Sequence, residues 1–140
     1  MAHAHHALAR DWRWRNFQIA ELACRCGGRF CRRQYWHEPR FLDHLQALRD
    51  RLGQPLIVHS GHRCPLWNAR VGGAPKSQHK RMAVDLAVDG HARGALLAAA
   101  RAIGFTGVGL ARSFLHLDLR ARPATWFYHG SKETWTMSLE

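Results

Sequence analysis

Gly-Val-Gly-Leu-Ala-Arg-Ser-Phe-Leu-His-Leu-Asp, at residues 107–118, predicts two short strands joined by a turn. The strands are expected at residues 107–110 and 113–119, and the turn includes Ala111 and Arg112. Consecutive strands joined by so short a turn pair in the antiparallel sense. We therefore expect an antiparallel hairpin at the centre of the fold.

The second strand of this hairpin separates apolar side chains from ionisable ones. Side chains two residues apart point to the same face of a sheet, so Leu115, Leu117 and Leu119 are expected to face the core. The opposite, open face then carries His116 beside Asp118. This pair suits a metal ligand and an adjacent general base, although an isolated His-x-Asp is more often a simple surface contact.

Another strand is expected at residues 82–88, and it carries Asp85 inside an apolar run. A carboxylate in that position is costly to bury unless it is paired or bound to a metal. One possible partner is a basic residue in a plain salt bridge. The other is a metal ion shared with His79, which lies in the preceding loop. The residue types leave both possibilities open.

Helices complete the predicted domain. The clearest covers residues 39–52, where apolar side chains recur every three or four positions between Pro39 and Gly53. The remaining segments are expected at residues 16–23 (helix), 55–60 (strand), 64–71 (helix), 75–80 (loop) and 91–103 (helix). Strands interleaved with helices without a repeated βα period predict an α+β domain, with a small central antiparallel sheet flanked by helices.

The length of 140 residues suits a single domain with its own core. We expect a flexible N-terminus over residues 1–15, the domain over residues 16–126 and a C-terminal tail over residues 127–140. Aromatic side chains after Pro123 are expected to pack against the domain or to stack on a ligand, and packing is the commoner use.

The net charge of +11 predicts an anionic partner, such as nucleic acid, a membrane surface or a cell-wall polymer. No apolar run approaches the length of a membrane span, so we expect no stable membrane insertion. The sequence shows no nucleic-acid recognition signature, which disfavours a nucleic-acid partner. The first residues lack the apolar core of a secretory signal, so synthesis in the cytoplasm without a signal peptide is expected.

Four cysteines occur in the chain, at Cys24, Cys26, Cys31 and Cys64. A structural zinc cluster usually contains paired Cys-x2-Cys or a knuckle of cysteine and histidine, and this spacing fits neither well. The spacing favours reduced thiols over a bound metal or a disulfide involving Cys64.

Several motifs follow one another in a recognisable order. They are His62-Arg63-Cys64-Pro65, Asn68, Val71-Gly72-Gly73-Ala74, Ser77-Gln78-His79, Ala83-Val84-Asp85 and Phe114-Leu115-His116-Leu117-Asp118. Together they resemble the zinc D-Ala-D-Ala peptidase family, which cleaves the peptide stems and cross-links of peptidoglycan and shares the Hedgehog-type fold. The likeness runs from about Phe17 to Trp126 and is greatest to the phage and prophage branch.

The resemblance implies one zinc ion bound by His79, Asp85 and His116. It also implies that Asp118 is the catalytic acid/base residue and that Arg63 orients the substrate. A guanidinium suits a substrate carboxylate or a developing oxyanion, because it offers a rigid fork of donors and keeps its charge.

Ser77, Asn68 and His62 are implied by the same resemblance as substrate-binding or supporting residues, with Ser77 steadying a ligand. The implied activity is that of an endolysin-like carboxypeptidase or endopeptidase acting on peptidoglycan peptides. The enzyme would reach the cell wall after phage-type release or as part of a virion, with a monomer as the default.

Two positions depart from the family pattern, Ser-x-His-x-x-Gly-x-Ala-x-Asp. Met82 stands where the pattern has Gly, and Asp85 arrives one residue early. A one-residue slip inside the strand would turn Asp85 to the wrong face, so we place the missing residue in the turn after His79. The shortened reach of His79 makes a catalytically impaired, wall-binding family member the alternative. His62 replaces the usual Tyr, which alters the pocket wall more than the chemistry.

Overall fold

The computed structural model describes the backbone of residues 10–139 and the side chains of residues 10–136. Residues 1–9 of the expected flexible N-terminus lie outside this range. The helices in the described part are α1 (Ile19–Leu22), α2 (Pro39–Leu52), α3 (Pro65–Arg70), α4 (Arg93–Ile103) and α5 (Lys132–Leu139), with a 3₁₀ helix at Gln78–Lys80. The strands are β1 (Val58–Ser60), β2 (Val84–Ala87), β3 (Gly107–Leu110), β4 (Phe114–Asp118) and β5 (Ala124–Phe127).

The five strands form one sheet in the order β1-β2-β4-β3-β5. The hairpin of β3 and β4 and the pairings of β2 with β1 and β4 are antiparallel, as expected. The sheet is mixed rather than wholly antiparallel, because β5 pairs in the parallel sense with β3. β5 reverses direction after β4, but β2 and β3 already occupy both edges of β4. The free edge of β3 therefore receives β5.

One face of the sheet packs against α2 and α4 to form the core. Leu115 and Leu117 of β4 lie in it, as the strand parity predicts. α2 begins at Pro39 and ends before Gly53, whose φ of 64° is the left-handed conformation that glycine adopts most easily. The α+β class is confirmed.

Aromatic side chains from outside residues 16–126 also enter this core. Trp14 and Trp135 are both buried in it, and the Trp135 indole N–H donates to the Ala111 carbonyl at 2.7 Å. Packing is thus the use that the structure shows for Trp135, while the boundaries at 16 and 126 stay a prediction. None of the helices over residues 10–139 combines the length and apolar character needed to cross a bilayer.

Candidate functional site

Strand pairing brings Asp85 and His116 together. They are directly opposed residues of β2 and β4, and opposed residues in an antiparallel pair project to the same face. Val84 and Leu86, on either side of Asp85, point into the core. Asp85 therefore projects to the face opposite the core, as expected if the missing residue lies upstream of the strand.

His79 reaches the same place from the 3₁₀ helix. The Ser77 hydroxyl begins this helix by accepting a hydrogen bond from the His79 backbone N–H at 3.1 Å. The His79 carbonyl accepts a hydrogen bond from the Arg63 backbone N–H at 2.6 Å. These contacts hold His79 from both sides, and the short connection to Asp85 does not keep it away.

Three donor atoms converge at this point. The distances are 3.1 Å from His79 Nε2 to Asp85 Oδ1, 3.0 Å from His116 Nδ1 to Asp85 Oδ1 and 3.1 Å between the two nitrogens. Ligand atoms about 2.0–2.1 Å from a tetrahedral zinc lie about 3.3 Å from one another. The three residues are almost fully buried. The donor set fits a zinc ion in both chemistry and spacing.

The outer ring nitrogens explain why this triangle attracts a cation. His79 Nδ1 lies 2.7 Å from the Gly61 carbonyl oxygen, and His116 Nε2 lies 2.6 Å from Asp118 Oδ2. Each oxygen is an acceptor, so each outer nitrogen carries a proton and directs the lone pair of the inner nitrogen toward Asp85. The lone pairs of the two inner nitrogens and of the Asp85 carboxylate oxygen repel one another unless a cation, either a proton or a metal ion, lies between them.

The electrostatics agree with this geometry. Burial acts to raise the pKa of Asp85, but hydrogen bonds and charge from His116 and His79 outweigh it and hold the pKa well below its usual range. Burial lowers the pKa of His116, whereas Asp118 and Asp85 raise it, and the net shift is upward. The site therefore presents an ionised carboxylate to a cation.

A cavity of about 510 Å³ opens beside the triangle. Its size is that of a site for a small ligand. Cationic and aromatic side chains contribute much of its lining, namely Arg63, Lys76, Arg120, Phe114, Trp126 and Tyr128. Asp85 is the carboxylate in this lining. The cavity is suited to an anionic group that lies close to the metal ligands.

Arg63 connects the cavity to the segment that supports it. One guanidinium nitrogen lies 3.6 Å from Asp85 Oδ2, and another donates to Asn68 Oδ1 at 3.3 Å. The buried Asn68 side chain in turn donates to the Ala74 carbonyl at 2.9 Å. Asn68 thus ties Arg63 to the loop that forms one wall of the cavity.

Asp118 lies behind His116 rather than on the cavity wall. It is fully buried, and its carboxylate accepts two hydrogen bonds from the Arg120 guanidinium, at 2.9 and 2.6 Å. Burial acts to raise the pKa of Asp118, but Arg120 and His116 hold it well below its usual range. This placement suits a carboxylate that orients the His116 ring. The acid/base role of Asp118 stays a prediction.

His62 is also buried, but it does not line the cavity. Its Nδ1 lies 2.7 Å from the Arg81 carbonyl oxygen, and its Nε2 has no hydrogen-bond partner among the described residues. Its ring lies 6.1 Å from that of Trp36. The structure therefore brings His62 close to the turn that follows His79, and not to the substrate side.

Arg120, Trp126 and Tyr128 also line the cavity. No site role was expected of Arg120, and stacking on a ligand was the less common alternative for the two aromatic residues. The Trp126 ring lies 5.2 Å from that of His116, and the Arg120 guanidinium lies 4.5 Å from the Trp126 ring centre. These side chains cover the face of β4 that was expected to be open. Arg120 is four residues from His116 on an extended segment, and this even spacing indicates that both side chains lie on the same face. Trp126 and Tyr128 are two residues apart, which likewise indicates a shared face.

The chain is similar to a known protein family. A family model described as Peptidase M15 matches residues 15–118. The matched region contains His79, Asp85 and His116. A search of curated proteins finds no match to the chain.

Proposed function

The chain belongs to the peptidase M15 family, and on this premise we propose that it is a zinc-dependent hydrolase of peptidoglycan peptides. In this proposal His79, Asp85 and His116 hold one zinc ion. The observation that supports it most is the convergence of their three donor atoms at 3.0–3.1 Å. A zinc ion held there supplies a Lewis acid that polarises a carbonyl group and makes a neighbouring water more acidic.

The residues around this site have separate tasks in the proposed reaction. Arg63 lies at the cavity with its guanidinium near Asp85, where it can bind a substrate carboxylate or an oxyanion. Asp118 holds the proton of His116 on Nε2 through their 2.6 Å contact. The acid/base role that the resemblance assigns to Asp118 would require its carboxylate to reach the substrate as well.

The proposed substrate is a peptide stem or cross-link of peptidoglycan. The cationic lining from Arg63, Lys76 and Arg120 supports an anionic peptide, and the net charge of +11 supports an anionic wall. Both a carboxypeptidase and an endopeptidase of the endolysin type are compatible with this lining. We propose the cell wall as the place of action, reached after phage-type release or as part of a virion.

Digestion of purified peptidoglycan tests this proposal. The zinc-loaded protein is expected to release peptide products or free D-Ala, detected by mass spectrometry, and a chelator should abolish the release until zinc is restored. His116→Ala is the control, because it removes a ligand from the buried triangle. If the folded, zinc-loaded protein binds several wall types but releases nothing, the chain is a wall-binding module instead.

A further inference from the structure

A second cluster of potential metal ligands lies between the N-terminal segment and the start of α3. It consists of the four cysteines, Cys24, Cys26, Cys31 and Cys64, whose sulfur atoms all lie within 4.8 Å of one another. Cys31 is half-buried and the other three are buried. The sequence spacing favoured reduced thiols, because it fits neither paired Cys-x2-Cys nor a knuckle of cysteine and histidine. The fold brings Cys64 to the other three.

The distances between the sulfur atoms fit a shared metal ion better than a disulfide. Four sulfur atoms at about 2.3 Å from a tetrahedral zinc lie about 3.8 Å apart. Cys26 Sγ and Cys31 Sγ are 3.6 Å apart. A disulfide would need about 2.05 Å, and none joins the cysteines within residues 10–139.

Backbone N–H groups point at three of the sulfur atoms. The Cys64 amide donates to Cys24 Sγ at 3.3 Å, the Gln34 amide to Cys31 Sγ at 3.4 Å and the Phe30 amide to Cys26 Sγ at 3.5 Å. Hydrogen bonds of this kind stabilise the thiolate form and orient it, as the supporting contacts of metal ligands do.

The turn between Cys26 and Cys31 brings their two sulfur atoms together. Gly27 and Gly28 adopt φ of 69° and 85°, which side chains disfavour, so that the chain doubles back within five residues. The Arg29 amide closes the turn by donating to the Cys26 carbonyl at 3.3 Å. Both sulfur atoms thereby face the same point.

The local charge also fits a metal bound by four thiolates. Four thiolates and one divalent cation carry a net charge of about −2. Arg25, Arg32 and Arg33 line a cleft that also contains Cys24 and Cys31. Their positive charges would offset that of the metal–thiolate group.

We propose that Cys24, Cys26, Cys31 and Cys64 bind a structural zinc ion, at a second metal site separate from that of His79, Asp85 and His116. Thiolate ligands select soft or borderline metals such as zinc, and four of them leave no position open for a substrate. This site does not rest on the proposed peptidase activity.

The second site would join the N-terminal segment to the segment that positions Arg63. Cys64 follows Arg63 directly, and the preceding His62 amide donates to the Leu22 carbonyl at 2.9 Å. The Gly61 carbonyl, one residue earlier, contacts His79 Nδ1 at 2.7 Å. Zinc bound by the cysteines therefore fixes a short segment whose other contacts support the histidine site.

Metal analysis by mass spectrometry combined with X-ray absorption of the full-length protein tests this inference. The wild type is expected to hold two zinc ions per chain, with Zn–S scattering at about 2.3 Å. His116→Ala should keep one ion, and its scattering should be dominated by sulfur. Cys26→Ala combined with Cys31→Ala should lose the sulfur signal. Leu66→Ala, an exposed residue near Cys64, is the matched control and should keep both ions.

Sulfur scattering is the decisive measurement, because the chain also has 11 histidines that can bind metal nonspecifically. If the double cysteine variant fails to fold, the spectra of the wild type and of His116→Ala still decide. The inference is overturned if zinc in the wild type shows no sulfur ligands, or if mass spectrometry finds native disulfides among these cysteines.

Discussion

Asp118 contacts His116 on the ring nitrogen that faces away from Asp85 and His79. A carboxylate in this position fixes the tautomer of a metal-binding imidazole and increases its basicity. The Arg120 guanidinium donates to both oxygens of the same carboxylate, including the Oδ2 that His116 contacts, so protein contacts fix the position of Asp118. Zinc affinity and catalysis should therefore both depend on Asp118.

We expect Asp118→Asn to lower zinc affinity by about 10- to 100-fold, because the amide no longer selects the tautomer that directs the His116 lone pair inward. Titration with a chelator of known affinity measures this, and peptide release is measured in parallel. Asp89→Asn, an exposed carboxylate, is the matched control. Unchanged zinc affinity together with lost activity would instead support the acid/base role.

Arg63 lies at the cavity without belonging to the ligand triangle. Arg63→Gln should therefore keep the zinc ion while peptide release falls by about 10²- to 10³-fold, the usual cost of removing a donor that stabilises developing charge. Arg63→Lys should restore only part of the rate, because lysine keeps the charge but loses the fork of donors.

The control for Arg63 is Arg70→Gln, an exposed arginine in the last turn of α3. It removes the same charge without touching the cavity, and wild-type rates are expected. Steady-state kinetics on a soluble stem peptide, with zinc content measured for each variant, separates the effects. Wild-type rates for Arg63→Gln would remove Arg63 from the reaction.

β3 alternates Gly107 and Gly109 on the site face with Val108 and Leu110 on the core face. Gly107 is opposite Asp118 and Gly109 is opposite His116 in the pairing with β4. A methyl group at Gly107 would collide with the Asp118 carboxylate, and one at Gly109 would lie 2.7 Å from the Trp126 indole. The strand thus makes room for the groups behind and beside His116.

Alanine substitutions at Gly107 and at Gly109 are expected to cause different defects. Gly107→Ala should destabilise the fold by about 1–3 kcal/mol and weaken zinc binding, because the pinned Asp118 cannot move aside. Gly109→Ala should leave zinc binding intact and raise KM, because Trp126 is displaced from the cavity wall. Urea unfolding, zinc titration and kinetics on the two variants check this. If Gly107→Ala matched the wild type in all three, the close packing of Asp118 would not matter.

Charge acts on the molecule as a whole. In the proposed function, the excess of 21 basic over 10 acidic residues would attract an anionic wall over distances that salt shortens. The screening length falls from about 10 Å at 0.1 M salt to about 3 Å at 1 M. Attraction to the wall should therefore be lost at high salt, whereas contacts inside the cavity should persist.

We expect retention on cell walls to fall steeply between about 0.1 and about 1 M salt, while hydrolysis of a short soluble stem peptide changes far less. Sedimentation of protein with purified walls measures retention. Walls stripped of their anionic polymers serve as the control and should retain little protein at any salt concentration. Retention that does not depend on salt would exclude a role for the net charge.

Local patterns in the sequence predicted much of the fold. The apolar periodicity between Pro39 and Gly53 specified α2, since helix formation there depends on neighbours three and four residues away. Strand parity placed Leu115 in the core and His116 on the other face. The ordered motifs identified the family, while the zinc ligands that they imply stay a prediction.

The other features of the fold and of the site depend on pairing between elements that are distant in sequence. That pairing was not predicted, because it depends on which strand edges and faces remain free once the chain has folded back. It placed β5 on the free edge of β3, which covered the face of His116 with Trp126. It brought the shortened His79 segment within 3.1 Å of Asp85 and Cys64 within 4.8 Å of the other three cysteines. These distances cannot be predicted from positions along the sequence, because contacts between separate elements determine each of them.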